Sequence, residues 1–106
     1  MNRIESSMAI FKALGDLTRL KIIDAIFDQE KSVNMIAKDI NLSQSAISHQ
    51  LKFLRDVDIV RFKQNGKERL YYLSDDHVRT IIDQVFKHTE DCGDEDNEET
   101  ILSRKC

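Results

Sequence analysis

The segment from residue 74 to residue 91 carries the pattern that most restricts the fold. Its large apolar residues are Val78, Ile81, Ile82, Val85 and Phe86. They recur at positions i, i+3, i+4, i+7 and i+8, which is the spacing of one face of an α-helix. The pattern therefore predicts a last helix whose apolar stripe is covered by another element or by another copy of the chain.

Two of the three histidines, His77 and His88, lie on this predicted helix, eleven residues apart. Eleven residues make about three turns, so both side chains share a face, but a rise of about 1.5 Å per residue separates them by roughly 16 Å along the axis. Because zinc holds imidazole nitrogens at about 2.0–2.1 Å, one helix cannot close one metal site with both histidines.

Two antiparallel copies of the helix remove this obstacle, because the start of one helix then lies beside the end of the other. Two-fold symmetry makes such a contact isologous, so each site arises twice. In this arrangement Asp75 and His77 of one chain meet the partner's His88 and the partner's Asp91, which gives two nitrogens and two oxygens around a tetrahedral ion. The pattern therefore predicts a homodimer with metal sites at its interface.

The chain has the length and composition of one small domain. Its 106 residues include no proline and only three glycines, with 33% charged and 41% hydrophobic residues, which favours a mostly helical protein. We place this domain at residues 1–91 and expect the acidic segment 92–106 to be a disordered tail. Without a long apolar run or the apolar core of a signal peptide, the sequence predicts a cytoplasmic protein with no membrane partner.

Acidic and basic residues are unevenly distributed, so the net charge of −3 conceals a basic region. Seven of the nineteen acids lie between Glu90 and Glu99. Between Ser43 and Arg69 six bases stand against three acids, which is a local charge of +3. A basic region of this kind favours binding to the phosphates of nucleic acid.

Two short helices joined by a three-residue connection are predicted around Asn41. Apolar spacing places them at about residues 33–40 and 43–56, with Ser32 and Ser43 as N-caps and Asn41 in the left-handed conformation that asparagine tolerates. This arrangement is a helix-turn-helix. Two earlier helices are predicted over about residues 4–14 and 18–28, with Thr18 as the cap of the second.

The fourth predicted helix has an apolar face and, opposite to it, a face of small or polar side chains. Hydroxyls, an amide and an imidazole can approach base edges and phosphates closely, so this face is a candidate DNA-reading surface. The alternative is an ordinary solvated helix face. The candidate residues are Gln44, Ser45, Ser48, His49 and Lys52.

A β-hairpin is predicted after this helix, because Asn65-Gly66 separates two β-prone runs. Asn-Gly is typical of a type I′ turn, whose two central residues both need positive φ. A turn centred on this pair would place Lys63 opposite Glu68. Lys63, Lys67 and Arg69 edge the turn, so we expect a wing that lies on the phosphate backbone of double-stranded DNA.

The order of elements, together with residues 11–20 (FKALGDLTRL) and 41–51 (NLSQSAISHQL), resembles the ArsR/SmtB family of winged helix-turn-helix repressors. The resemblance covers about residues 4–91. It implies a mainly α fold with a β-hairpin wing (α+β) and a homodimer joined through its first and last helices. It also implies that the dimer binds a palindromic operator and is released when an inducer binds.

The last helix is similar to that of the zinc-responsive branch of this family, which carries Asp-x-His, ten residues, and then His-x-x-Glu or His-x-x-His. Asp75, His77 and His88 match this pattern, and Asp91 takes the fourth position, with Cys92 as the alternative fourth ligand. The resemblance therefore implies Zn(II) as the inducer, with Co(II) as its substitute in vitro.

Two other functions are weighed against this one. A thiol or persulfide switch on the same fold would use Cys92 and Cys106. A zinc hydrolase would need an open coordination position and a general base, and the sequence has no His-Glu-x-x-His motif, so we expect no enzyme activity.

Overall fold

The computed structural model describes residues 2–91. These residues form five helices and one two-stranded antiparallel hairpin, which confirms the predicted mainly α fold with a β-hairpin wing. The elements are α1 Arg3–Leu14, α2 Leu17–Ile26, α3 Val33–Ile40, α4 Gln44–Asp56, β1 Val60–Asn65, β2 Glu68–Leu73 and α5 Asp76–Asp91. The elements from α1 to β2 form one compact unit, and α5 belongs to a second. No helix in the described range is long and apolar enough to cross a lipid bilayer.

Side-chain caps set the start of the helices. The Ser32 hydroxyl accepts a hydrogen bond from the Met35 amide at 3.2 Å, and the Ser43 hydroxyl accepts one from Ala46 at 3.1 Å, so both predicted caps are confirmed. The prediction of Thr18 as the cap of α2 was wrong. The helix begins at Leu17, and its cap is Asp16. The Asp16 carboxylate accepts a hydrogen bond from a free amide of the first turn, and its negative charge also interacts favourably with the helix dipole.

The connection between α3 and α4 depends on Asn41. This residue ends α3 in the left-handed conformation, with φ 56° and ψ 51°, as the sequence predicted. The following amide, of Leu42, donates to the Ala37 carbonyl at 3.1 Å. The chain therefore turns within three residues, and Ser43 caps α4 directly afterwards.

The core of the first unit lies among α2, α3, α4 and the base of the hairpin. Its largest fully buried side chains are Ile22, Ile23, Ile26, Ile36, Ile47, Leu51, Leu54, Ile59 and Val60. Burying one such side chain stabilises the fold by about 1.5–3 kcal/mol before entropy is counted. The three that belong to α4 determine which of its faces remains at the surface.

The hairpin register differs from the predicted one. The two-residue loop is Gly66 and Lys67, so Asn65 pairs with Glu68 and Lys63 pairs with Leu70. The predicted pairing of Lys63 with Glu68 was therefore wrong. Only Gly66 of the loop has positive φ, at 64°, whereas the type I′ turn centred on residues 65 and 66 would need positive φ at both.

A third backbone segment extends the hairpin. Lys31, just before α3, exchanges both backbone hydrogen bonds with Tyr71 of β2, at 3.1 and 2.8 Å. The wing is therefore tied to the beginning of the helix-turn-helix.

Large apolar side chains remain exposed on two helices, each considered by itself. On α1, Ile4, Met8 and Phe11 are 64–68% exposed. On α5, Ile81 and Val85 of the predicted stripe are 47% and 55% exposed, while Ile82 is buried. An exposed row of this size on a short helix is typical of a surface that associates with a partner.

Substitution of Asn41 tests the turn between α3 and α4. We expect Asn41→Ala to lower the free energy of unfolding by about 1 kcal/mol, because alanine is strained in the left-handed region. Asn41→Gly should be nearly neutral. Urea unfolding followed by circular dichroism at one protein concentration measures both, and an alanine variant as stable as wild type would contradict the assigned role.

Candidate nucleic-acid interface and metal-ligating residues

The outer face of α4 carries all five of its predicted DNA contacts at the surface. Ile47, Leu51 and Leu54 on the inner face are at most 1% exposed, and successive helix residues are separated by about 100°. Burial of that inner face leaves the opposite one in solvent. The exposed residues are Gln44, Ser45, Ser48, His49 and Lys52.

Two of these side chains have partners within the chain. The Gln44 side-chain amide donates to the Asn34 side-chain carbonyl at 3.0 Å, which links the first turns of α3 and α4. The Lys52 ammonium lies 3.5 Å from the Asp56 carboxylate, one turn further along α4. Sequence reasoning missed Asn34, because nothing in a single sequence places the start of α3 beside the start of α4.

The beginning of α4 and the wing line one surface groove of about 350 Å³, which we call the helix–wing groove. It brings together four of the eight predicted DNA contacts, namely Gln44, Ser48, Lys67 and Arg69. Its other lining residues are Ser32, Val33, Asn34, Glu68 and Tyr71. Ser45, His49 and Lys52 are exposed on α4 outside this lining, and Lys63 lies on β1.

Ion pairs neutralise half of the basic residues between Ser43 and Arg69. Lys52 pairs with Asp56, Arg61 with Asp58 at 2.9 Å, and Lys63 with Glu30 at 2.9 Å. The remaining three bases, Arg55, Lys67 and Arg69, form no ion pair within the described part of the chain. The cationic charge left for an anionic partner is therefore concentrated on these three residues.

Two of them stack on one aromatic ring at the base of the wing. The guanidinium carbons of Arg55 and Arg69 lie 4.7 and 4.4 Å from the centre of the Phe62 ring. The same ring packs against Tyr71 with 5.5 Å between ring centres. Sequence reasoning missed this cluster, because Arg55, Phe62 and Arg69 come from α4, β1 and β2 and lie 7 or more positions apart from one another along the chain.

The predicted metal ligands lie at or near the two ends of α5. Asp75, His77 and His88 are all exposed, and the side chain of Asp91 lies outside the described atoms, as do Cys92 and Cys106. Within one chain, the described residues form no cluster of three or more metal-ligating side chains. His88, with Gln84, Val85 and Lys87, lines a shallow surface cavity of about 410 Å³.

Comparison with known proteins identifies the class. Residues 16–61 match the family model described as bacterial regulatory protein, arsR family. The chain is 32% identical over 91 residues to a transcriptional repressor SmtB homolog of Synechocystis, a match that covers 86% of this chain and 69% of that protein. It is 35% identical over 80 residues to a cadmium resistance transcriptional regulatory protein CadC homolog of Staphylococcus aureus, covering 74% and 66%.

A solved structure has the same fold. A homodimeric winged helix-turn-helix DNA-binding domain of Mycobacterium bovis superposes with a TM-score of 0.79 at 22% identity, covering 83% of this chain and 82% of that one. The fold is thus a winged helix-turn-helix. With the sequence matches, the chain belongs to the arsR family of bacterial regulatory proteins.

Asp58 provides a pH-dependent test of the connection between α4 and the wing. It follows α4 in the left-handed conformation, with φ 57°, and its hydrogen bonds with the Arg61 guanidinium hold the pKa of this carboxyl below its ordinary value of 3.8. A lowered pKa stabilises the fold above pH 3.8, and this contribution is lost as the pH falls through the lowered pKa.

We therefore expect Asp58→Asn, which keeps a residue that tolerates this backbone, to be slightly less stable than wild type at about pH 6. The difference should shrink as the pH falls below 3.8, the ordinary pKa of this carboxyl. Urea unfolding at a series of pH values from about 6 downward measures it, with Arg61→Gln as the matched partner variant. A difference that does not change with pH would show that the backbone, rather than the charge, is responsible.

Proposed function

We propose that this protein is a homodimeric transcriptional repressor that binds a palindromic operator in double-stranded DNA and is released when Zn(II) binds at its last helix. The DNA-binding half of this proposal rests on the helix–wing groove, which is lined by the polar face of α4 and by Lys67 and Arg69 of the wing. The metal-sensing half is supported by the ligand pattern on α5 and by the cadmium resistance regulator among its relatives.

The exposed face of α4 suits the major groove of DNA. An α-helix fits into the major groove of DNA. The side chains of Ser45, Ser48 and His49 are short enough for the backbone of α4 to lie near the base edges. Gln44, held at its amide nitrogen by Asn34, retains an acceptor oxygen for a base edge. The wing would then lie over the neighbouring phosphates, where Lys67 and Arg69 supply charge.

Dimer formation is supported by the exposed apolar row of α1, namely Ile4, Met8 and Phe11. The same fold is homodimeric in the Mycobacterium bovis domain. In a two-fold dimer the two α4 helices would read half-sites about 34–36 Å apart, in successive major grooves.

The donor set of α5 fits zinc. His77 and His88 offer imidazole nitrogens on one helix face, both exposed to solvent, and Asp75 offers a carboxylate beside the first of them. A site of two nitrogens and two oxygens suits tetrahedral zinc, with Co(II) as a spectroscopic substitute. In each site, Asp75 and His77 would come from one chain, with the partner's His88 and a fourth ligand, the partner's Asp91 or the partner's Cys92, completing the set.

Thermodynamic linkage between the metal site and the DNA surface explains how metal binding would release the protein from DNA. If metal selects a dimer whose α4 helices no longer match successive major grooves, DNA affinity falls, and DNA must weaken metal binding by the same factor. A rotation of one protomer by a few degrees relative to its partner would displace both α4 helices, because two-fold symmetry repeats every change in the second protomer.

Substitutions in the wing test the DNA-binding half. We expect Lys67→Ala and Arg69→Ala each to weaken binding to all duplexes and to reduce the slope of log affinity against log salt by about 1. Lys63→Ala is the matched control and should have a smaller effect, because Glu30 already pairs with this ammonium. Fluorescence anisotropy on a duplex selected by the wild type from a random pool measures all three.

An equal loss for Lys63→Ala would mean that its ion pair opens on DNA and that Lys63 is a phosphate contact after all. Wild-type protein that enriches no duplex from the pool would contradict the proposed function itself.

Substitutions on α5 test the metal-sensing half. We expect His77→Ala and His88→Ala to bind the selected duplex as wild type does without metal and to lose the zinc-induced release. Thr80→Ala, an exposed α5 residue without metal-binding chemistry, is the control and should still respond. Loss of metal-free DNA binding in the histidine variants would instead assign both residues a structural role.

A Co(II) absorption spectrum of the wild type shows whether Asp91 or Cys92 is the fourth ligand. Intense ligand-field bands report tetrahedral geometry, and a sulfur charge-transfer band would assign Cys92 rather than Asp91. A thiol switch would replace the metal mechanism if an oxidant, but not zinc, released the wild type from DNA. Cys92→Ser or Cys106→Ser should then abolish the response to the oxidant.

A further inference from the structure

Arg19, in the first turn of α2, holds the C-terminal end of α1. Its Nε donates to the Ala13 carbonyl at 2.8 Å, and a terminal nitrogen lies 3.4 Å from the Lys12 carbonyl. The last four carbonyls of a helix have no partner within that helix. Because Ala13 is fully buried, its carbonyl depends on a donor from the protein, and Arg19 is that donor.

The same guanidinium also holds α4. Its other terminal nitrogen donates to the Gln50 side-chain oxygen at 3.1 Å, and its carbon lies 4.3 Å from the centre of the Phe53 ring. Gln50 directly follows His49 in the sequence, and Phe53 directly follows Lys52. One side chain therefore contacts α4 at two positions, each next in sequence to a candidate DNA contact.

The backbone of Arg19 is fixed as well, because its amide donates to the Asp16 carboxylate at 3.0 Å. Arg19 is half-buried, so water competes only partly for these hydrogen bonds. Three helices thus meet at one planar cation: α2 carries it, α1 offers carbonyls, and α4 offers an amide oxygen and an aromatic face.

We propose that Arg19 is a positioning residue that fixes α4 relative to α1 and thereby sets the half-site spacing that the dimer accepts. This inference rests on the proposed function. The row of Ile4, Met8 and Phe11 that supports dimer formation lies on the helix whose end Arg19 holds. The chain of contacts therefore runs from the dimer surface through α1 and Arg19 to the DNA-reading helix.

A lysine could not replace this arrangement. Arginine has five donors in a rigid planar fork and stacks on aromatic rings, whereas lysine has one flexible ammonium. Arg19→Lys keeps the positive charge but cannot serve Ala13, Gln50 and Phe53 together. The orientation of α4 relative to α1 should then be less defined, while the DNA-facing residues themselves are unchanged.

The test is selection from a duplex pool in which two fixed half-sites are separated by spacers of varied length. One additional base pair rotates one half-site by about 34° relative to the other, so a rigid dimer discriminates between adjacent spacings. We expect wild type to prefer its best spacer over the next by about tenfold or more, and Arg19→Lys by less than about threefold. The salt slope should be unchanged, because Arg19→Lys keeps the positive charge and the guanidinium is engaged within the protein by Ala13, Gln50 and Phe53.

Lys21→Gln is the control, because Lys21 is exposed on the same helix, and it should keep the wild-type spacing preference. Gln50→Leu and Phe53→Leu each remove one α4 contact of Arg19 and should broaden the preference partially. Gln50→Glu keeps an acceptor for the guanidinium and should retain the wild-type preference. These three variants keep the test informative if Arg19→Lys fails to fold.

A folded Arg19→Lys dimer that is less stable to urea but keeps the wild-type spacing preference would overturn the inference, since Arg19 would then only stabilise the fold. Wild-type protein that binds duplex DNA with no preference for any spacing would instead contradict the proposed homodimeric repressor. The two failures are therefore distinguished by the wild-type measurement alone.

Discussion

Burial of one face of α4 is the constraint on which the candidate DNA surface depends. Ile47, Leu51 and Leu54 fill the core together with residues of α2 and α3. A helix that is fixed on one side by close packing has no rotational freedom, so the identity of its outward residues is decided by its inward ones. The hydrophobic effect thus selects which side chains of α4 face solvent and form the candidate DNA surface.

Local chemistry made much of this fold predictable. Serine caps at residues 32 and 43, asparagine at the left-handed end of α3, and the apolar spacing of α4 each act within a few residues, so the sequence alone was sufficient for them. The cap of α2 and the register of the hairpin were predicted wrongly. Either Asp16 or Thr18 could cap α2, and the negative charge of Asp16 favours it. Either residues 65–66 or residues 66–67 could form the hairpin loop, and the choice depends on the strand register that the rest of the chain allows.

Contacts between distant segments could not be predicted in this way. The bond between Asn34 and Gln44, the ion pair between Lys63 and Glu30, and the stacking of Arg55 on Phe62 join residues 7 to 33 positions apart. The ion pair of Lys63 changed the interpretation of the site, because it neutralises a base that was predicted to contact phosphate. The metal ligands on α5 remain a prediction from spacing and family resemblance, since a site shared between two chains cannot be built from one.

The aromatic ring at the base of the wing has a consequence for the entropy of association. An arginine side chain can lose up to about 2 kcal/mol of rotamer entropy when it is immobilised. Arg55 and Arg69 already stack on the same Phe62 ring before any partner binds. Part of that loss is therefore incurred when the protein folds, and a polyanion meets cations whose directions are set in advance.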